Sequence, residues 1–195
     1  MLEKIHAALL KHHEFIKLMM EDQSLHLRIR EVADCCIESF RANHKILLCG
    51  NGGSASDAQH IAAELSGRYL MDRPPLFAEA LHVNTSYLTA VANDYNFDHV
   101  YARAVEAKGF AGDVLIALST SGKSPNVVKA VEVAKSRNLT TVAMTGLGDN
   151  PLSTIADIHI AIPSLYTPNI QEGHILVGHI LCEIIESSIF GDGGS

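Results

Sequence analysis

Residues 45 to 64 read KILLCGNGGSASDAQHIAAE, and this stretch decides the fold. Its first five residues form a short apolar run, which is typical of a buried strand. The glycine-rich segment that follows can turn sharply, because glycine has no Cβ to clash. The remainder has the composition of a helix, for which Ser54 or Ser56 is predicted as the N-cap. A strand, a glycine loop and a helix in this order predict an α/β unit whose helix N-terminus faces an anion.

The same order of strand, loop and helix recurs along the chain. Strands are predicted at 77–82, 113–119, 140–145 and 157–163. Helices are predicted at 85–92, 97–108 and 125–137, and a long one after Pro168. Such alternation predicts a parallel sheet with helices on both faces. We therefore expect an α/β fold, a three-layer α-β-α sandwich around a five-stranded parallel sheet.

The first 44 residues follow a different pattern. Apolar residues recur at helical spacing over 2–20 and again over 24–43, so a helical hairpin joined near Asp22 is predicted. This hairpin is expected either to pack over the sheet or to contact another subunit. Because no linker divides the chain, 1–195 is expected to be a single domain. It comprises the hairpin at 1–44, the α/β core and C-terminal helix at 45–190, and a flexible tail at 191–195.

Composition limits the possible partners. Hydrophobic residues make up 47% of the chain, which is somewhat apolar for a monomer and indicates surface buried between subunits. The net charge is −7 and no Lys/Arg cluster is present, so nucleic-acid binding is not expected. His179 and Glu183 interrupt the most apolar run, so no membrane span is expected. Four cysteines without a CxxC motif, and an N-terminus without a signal-peptide pattern, predict a cytoplasmic protein with reduced thiols.

A second loop, STSGKSPN at residues 119–126, follows a predicted strand and precedes a helix that begins near Pro125. Its hydroxyl side chains and the helix N–H groups can surround a phosphate monoester. A serine-capped helix behind a turn is the alternative. A Walker A loop is excluded, because its leading glycine would fall at Ala117, inside the strand. A nicotinamide site at Gly50 is disfavoured, because the next strand ends in His82-Val83-Asn84 and not in an acid.

Polar side chains also occur at helical spacing in the two helices that frame these loops. His60 and Glu64 are four residues apart and share a face with Asp57, one turn earlier. They are either a solvated helix pair or part of a site at the sheet edge. In the closing helix His174 and His179 point to opposite sides, so one helix cannot offer both to one site. The alternative for each of the two is a hydrogen-bonded interior or interface histidine.

The motifs NGGS at 51–54, DAQH at 57–60, STSGxS at 119–124 and QExH at 171–174 together resemble the sugar isomerase (SIS) domain family. The match covers nearly the whole chain and implies a flavodoxin-like sheet. Within the family the sequence is similar to enzymes that convert D-sedoheptulose 7-phosphate to D-glycero-D-manno-heptose 7-phosphate. That reaction is the first step of bacterial ADP- and GDP-heptose biosynthesis.

The resemblance also implies roles for individual residues. The phosphate is expected at Ser119, Thr120, Ser121 and Ser124. The remaining substrate contacts are expected from Asn51, Gly52, Gly53, Ser54, His60, Glu64, Asn93, Asp94 and Gln171. One zinc ion per subunit is expected at His60, Glu64, Gln171 and His179. The family forms homotetramers with active sites between subunits.

A ketose and an aldose interconvert through an enediol, which needs a base for the carbon-bound proton and an acid for the oxygen. The hypothesis is that Glu64 moves the proton between C1 and C2 while His179 serves the oxygens. Zinc would polarise the carbonyl. Because Glu64 or His179 is less free to transfer protons while it is bound to the metal, the two roles compete or alternate during turnover. Asp57 either helps to open the sugar ring or is a carboxylate that stabilises a helix start.

Helix geometry places a condition on this metal site. Gln171 and His179 lie roughly 12 Å apart along a helix, whereas zinc ligands approach to about 2.0–2.2 Å. We therefore predict that the two residues serve one site from different subunits or across a helix break.

Some segments depart from the family. Asn96 stands in place of a glycine, Val83-Asn84 in place of Thr-Asp, and Leu147–Pro151 in place of a glycine-rich turn. These changes affect loop shape and fine substrate preference. The alternatives are a replication-initiator-associating binding protein of the same superfamily, and an isomerase of arabinose 5-phosphate or a hexulose phosphate.

Overall fold

The computed structural model describes residues 1–191, so the predicted tail, apart from Gly191, lies outside the described residues. The first half of the chain forms α1 (Leu2–Glu21), α2 (Gln23–Arg41), β1 (Ile46–Gly50), α3 (Gly53–Ser66), β2 (Ala78–Ala80), α4 (Thr85–Asp94), a 3-10 turn (Phe97–His99) and α5 (Val100–Lys108). The second half forms β3 (Val114–Leu118), α6 (Pro125–Ser136), β4 (Thr140–Thr145), α7 (Pro151–Ile155), β5 (Ile158–Ala161) and α8 (Thr167–Phe190).

The five strands form one parallel sheet in the order β2-β1-β3-β4-β5. β1 pairs with β3 along its whole length, from Ile46 opposite Val114 to Gly50 opposite Leu118. The chain leaves β1 towards β2 on one side and leaves β3 towards β4 on the other. A crevice therefore opens between the loops that follow β1 and β3, which is where such sheets bind ligands. The predicted five-stranded, flavodoxin-like parallel sheet is confirmed.

Alternating residues of each strand face opposite helical layers. Ile46 and Leu48 pack with the apolar faces of α2, α3 and α8. Leu47 and Cys49 pack with those of α4, α5 and α6. All four side chains are fully buried, because helices cover both faces of the sheet. The predicted three-layer sandwich is confirmed.

The predicted N-terminal hairpin is also confirmed. Its turn is at Asp22, whose carboxylate caps α2 by accepting a hydrogen bond from the Leu25 amide at 3.0 Å. α2 packs against α8 and β5. In α1 only Phe15 and Met19 are buried. Apolar side chains on the rest of α1 remain exposed, namely Leu2, Ile5, Leu9, Leu10 and Leu18.

Two local features differ from the expectations. The N-cap of α3 is Gly52 and not Ser54 or Ser56, because Gly52 adopts a positive φ of 55° and the helix then begins at Gly53. Ser54 lies in the first turn and is buried. In addition, a short helix, α7, follows Asn150 in a segment for which no helix was predicted.

α8 is apolar enough to cross a membrane by length and composition, with a mean hydropathy of 1.3 over 18 residues. Buried core helices pass the same test of length and composition, so it does not contradict the expectation that no membrane span is present. In the fold α8 packs against α2 and α3, and 44% of that window is buried. Val177, Leu181 and Ile185 contribute to the core, so α8 is a core helix of the sandwich.

A buried ion pair ties α8 to the end of α3. The side chains of Arg73 and Glu186 are each 2% exposed, and Arg73 Nε donates to Glu186 Oε1 at 2.9 Å. Glu186 also accepts from the amides of Tyr69, Leu70 and Met71 at 2.8–3.1 Å. Burial opposes ionisation of Glu186, but these hydrogen bonds outweigh it and lower its pKa.

We expect Glu186→Gln to lower the free energy of unfolding by about 3–5 kcal/mol, because it leaves Arg73 buried beside a neutral group. The control is Glu31→Gln, which removes the exposed pair between Arg28 and Glu31 and should cost about 1 kcal/mol or less. Urea denaturation at one fixed protein concentration measures both. Equal losses for the two variants would contradict this role for Glu186.

Candidate active site

Two loops meet at the crevice between β1 and β3. We call residues 50–53 the glycine loop and residues 119–124 the serine loop. Asn51 Nδ2 donates to Asn126 Oδ1 at 2.8 Å, and Asn126 Nδ2 donates to Asn51 Oδ1 at 2.9 Å. Asn126 is 2% exposed and lies in the first turn of α6. This reciprocal amide pair fixes the glycine loop against the helix that follows the serine loop.

Sequence reasoning missed Asn126 as a site residue, although it stood at the end of a motif already singled out. The signal that could have identified it is its position on the apolar face of α6. Val127, Ala130 and Val131 are all fully buried on that helix. A polar side chain in this position needs a buried partner, and Asn51 is that partner.

Close packing positions the glycine loop. A Cβ on Gly50 would lie 2.6 Å from the Ser54 carbonyl oxygen, and one on Gly53 would lie 2.3 Å from Gln171 Nε2. Tyr101, buried on α5, donates its hydroxyl hydrogen to the carbonyl oxygen of Gly50. The structure thus brings Gln171 of α8 against the first residue of α3, beside the glycine loop.

The serine loop presents hydroxyl groups beside the N-terminus of α6. The Oγ atoms of Ser119 and Ser124 lie 3.2 Å apart, and Ser119 is buried. Thr120 is half-buried and Ser121 is exposed. Ser124 is the N-cap residue, but its hydroxyl makes no cap hydrogen bond. These hydroxyls and the first N–H groups of α6 can together hold an anion.

A second cluster of polar side chains lies where α3 packs against α8. His60 Nε2 lies 3.0 Å from Glu64 Oε1 and 3.3 Å from His179 Nε2. The potential ligand atoms of these three residues all lie within 4.8 Å of one another. The close approach of the helices depends on Gly178, where a Cβ would lie 2.5 Å from Ile61 Cδ1. We call His60, Glu64 and His179 the histidine cluster.

The donor set of the histidine cluster fits zinc. Zinc takes imidazole nitrogen and carboxylate oxygen, and a catalytic site has three protein ligands and an open position. Two ligands about 2.1 Å from a tetrahedral ion lie about 3.4 Å from each other. The separations of 3.0 and 3.3 Å within the cluster are close to this value.

Gln171 lies outside the cluster in the same chain. It contacts Gly53, which precedes His60 by seven residues, or about 10 Å of helix. α8 is continuous from Thr167 to Phe190, which excludes the helix break considered above. That Gln171 joins the histidine cluster of another subunit stays a prediction.

The other residues that the sequence predicted for the site are not in the two loops or in the histidine cluster. Asn93 and Asp94 end α4, are exposed, and share a hydrogen bond of 2.9 Å. Their contact with a sugar stays a prediction. His174 is an interior histidine, as expected, and burial lowers its pKa to about 4. The hydrogen bond expected for it is not found, because neither ring nitrogen has a partner within residues 1–191. Sequence reasoning missed Tyr69, whose ring stacks on His179 with centroids 5.9 Å apart and planes at 21°.

Asp57 lies one turn before His60 and is half-buried. Its Oδ2 atom has no hydrogen-bond partner among residues 1–191. Burial raises the pKa of this carboxyl group to about 6, although His60 acts in the opposite direction. Compared with the unfolded chain, the folded protein therefore favours the protonated, neutral form of Asp57.

The raised pKa of Asp57 predicts a pH-dependent loss of stability. Below pH ~4 the carboxyl group is protonated in both the folded and the unfolded chain. Between pH ~4 and about 6 the unfolded chain loses this proton while the folded chain keeps it, so the fold loses stability, and above this range the loss levels off. We expect the Tm of metal-free Asp57→Asn, relative to that of the wild type, to rise from about pH 4 to about pH 6 and to stay nearly constant at higher pH. Asp72→Asn, at an exposed position, controls for loss of one charge, and a pH-independent Tm difference for Asp57→Asn would contradict the prediction.

Comparison with known proteins identifies the family. Residues 13–146 match the family model of the SIS domain. The phosphoheptose isomerase of Sulfurimonas denitrificans is 49% identical over 183 residues, which cover 94% of this chain and 94% of that protein. The phosphoheptose isomerase of Rhodospirillum rubrum is 52% identical over 161 residues, which cover 83% of this chain and 86% of that protein.

A solved structure agrees with these relatives. The phosphoheptose isomerase of Neisseria gonorrhoeae superposes with a TM-score of 0.88 at 39% identity, and the match covers 95% of this chain and 98% of that one. The chain therefore belongs to the SIS domain family, within the group of phosphoheptose isomerases.

Proposed function

We propose that this protein is an aldose–ketose isomerase that converts D-sedoheptulose 7-phosphate to D-glycero-D-manno-heptose 7-phosphate. The observation that carries the proposal is the junction of the serine loop, the glycine loop and Gln171 at the carboxyl edge of the sheet. Relatives of nearly equal length and about half-identical sequence carry the name of this activity. The product would enter ADP- or GDP-heptose biosynthesis in the cytoplasm.

The serine loop is the proposed phosphate site. Hydroxyl groups and helix N–H groups bind phosphate without a basic side chain, because the helix dipole favours negative charge. Asn51 and Gln171 flank the glycine loop, where the hydroxyls of an open-chain sugar would bind. Asn93 and Asp94 are proposed to contact the same sugar.

The histidine cluster is the proposed acid–base centre. Glu64 would take the proton from C1 or C2 and return it to the neighbouring carbon, while His179 would exchange protons with the oxygens. Asp57, whose pKa is about 6, is the candidate acid for opening the sugar ring. The stacked ring of Tyr69 restricts the orientation of the His179 imidazole.

Zinc, one ion per subunit, would be held by His60, Glu64 and His179 together with Gln171. When bound, it supplies a Lewis acid that polarises the carbonyl group of the sugar. Glu64 and His179 would then alternate between ligation and proton transfer.

The proposed assembly is a homotetramer with active sites between subunits. In one chain Gln171 and the histidine cluster are about 10 Å apart along α3. A complete site would therefore combine the loops and Gln171 of one subunit with the histidine cluster of another. The exposed apolar side chains of α1 provide surface for such contacts.

We expect Glu64→Gln to lower kcat for sedoheptulose 7-phosphate by about 10²–10⁴-fold, because an amide cannot act as the base. Inhibition by inorganic phosphate should persist, since the serine loop is intact. Glu132→Gln, on the exposed face of α6, is the control and should keep wild-type turnover. Near-normal turnover of Glu64→Gln would remove it as the base.

The same assay separates the alternatives. Faster turnover of arabinose 5-phosphate or a hexulose phosphate would replace the proposed substrate. Absence of turnover with all three sugars, in protein loaded with zinc, would favour a binding protein.

Subunit complementation tests the shared site. Gln171→Ala and Glu64→Gln subunits carry their defects in different halves of the proposed site. Mixed oligomers refolded from equal amounts should recover up to about a quarter of wild-type activity, because one site in four receives two intact halves. The separately refolded variants are the controls. No recovery in verified mixed oligomers would show that each site is built from one chain.

A further inference from the structure

The segment between β4 and α7 lies directly against the serine loop. The Gly146 amide donates to the Thr120 carbonyl oxygen at 3.0 Å, and the Leu152 amide donates to the Gly122 carbonyl oxygen at 3.3 Å. The serine loop is therefore attached on this side by residues that do not themselves belong to it. This segment includes Leu147–Pro151, where the chain departs from the glycine-rich turn of its family.

Asn150 is the buried polar side chain at this contact, with 7% of its surface exposed. Its Oδ1 atom accepts from the Ser153 amide at 2.9 Å and so caps α7. Its Nδ2 atom donates to the Gly148 carbonyl oxygen at 2.9 Å and to Thr145 Oγ1 at 3.3 Å. Because both ends of the amide are engaged, its orientation is fixed.

The fixed amide lies against Gly122 of the serine loop. A Cβ on Gly122 would lie 2.0 Å from Asn150 Oδ1 and 2.2 Å from its Cγ atom. Gly122 has a positive φ of 64°, and its amide donates to the Ser119 carbonyl oxygen at 3.0 Å. The side chain of Asn150 thus occupies the space beside the turn of the serine loop and limits its movement towards β4.

We propose that Asn150 is a positioning residue for phosphate binding: it supports Gly122 and thereby holds the hydroxyls of Ser121 and Ser124 in place. This inference rests on the proposed function of the serine loop. Binding groups must be held within about 0.5 Å of the productive geometry by the residues around them. Asn150 supplies that support without touching the phosphate.

Asn150 and Ser153 form a capping box at the start of α7. Variants of these two residues separate support of the serine loop from stability of the fold. Asn150→Ser keeps a strong N-cap for α7 but removes the amide that lies against Gly122. Ser153→Ala removes the reciprocal half of the box, in which Ser153 Oγ accepts from the Asn150 amide at 3.1 Å. Within residues 1–191 Ser153 makes no hydrogen bond to the serine loop.

We expect Asn150→Ser to raise the KM for sedoheptulose 7-phosphate and the Ki for inorganic phosphate by a common factor of about tenfold, with kcat within about twofold and Tm near that of the wild type. Ser153→Ala should lower Tm but leave KM and Ki unchanged. A purely structural role for Asn150 predicts the reverse pattern for Asn150→Ser, a lower Tm with no change in Ki.

Calorimetric titration of the zinc-loaded protein with inorganic phosphate supplies a readout that does not depend on turnover. If the wild type fails to isomerise the sugar but Asn150→Ser still weakens phosphate binding, the positioning role stands and the proposed reaction fails. If the wild type is active and both variants bind phosphate as it does, the positioning role is overturned. Absence of phosphate binding by the wild type overturns both.

Discussion

The site depends on the pairing of β1 with β3 at the centre of a parallel sheet. Their connections leave in opposite directions, so the loops after them border one crevice. The Asn51–Asn126 amide pair joins the glycine loop to α6, the helix that follows the serine loop. Because the pair is largely buried and reciprocal, the glycine loop and the serine loop keep a constant separation. In the proposed function, this separation would align a phosphorylated sugar, held by its phosphate, along the glycine loop.

The packing of α3 against α8 positions the remaining candidate site residues, Gln171 and the histidine cluster. Gly53 and Gly178 let the helices approach closely, which places Gln171 at the start of α3 and His179 beside His60. The ion pair of Arg73 and Glu186 anchors the end of α3 and the segment that carries Tyr69. One helix pair thus carries two functional groups about 10 Å apart. This separation is the physical reason for proposing a site that is shared between subunits.

Local patterns were sufficient for much of the fold. Apolar periodicity predicted the hairpin and the order of strands and helices, and the glycine and serine loops were found because each joins a strand to a helix. Contacts between distant residues could not be found in this way. Asn126 pairs with Asn51, 75 residues away, and Tyr69 stacks on His179, 110 residues away. No rule of local sequence spacing relates residues so far apart. The N-cap of α3 was mispredicted because the positive φ of Gly52 depends on the turn as a whole.

The proposed division of the site between subunits is tested most directly by a crystal structure of the Glu64→Gln variant with sedoheptulose 7-phosphate. The phosphate oxygens should accept hydrogen bonds from the serine loop, and C1 and C2 should lie between Gln171 of the same chain and the histidine cluster of a neighbouring one. A sugar phosphate bound away from the serine loop, or one whose C1 and C2 approach the cluster of the same chain, would contradict this arrangement.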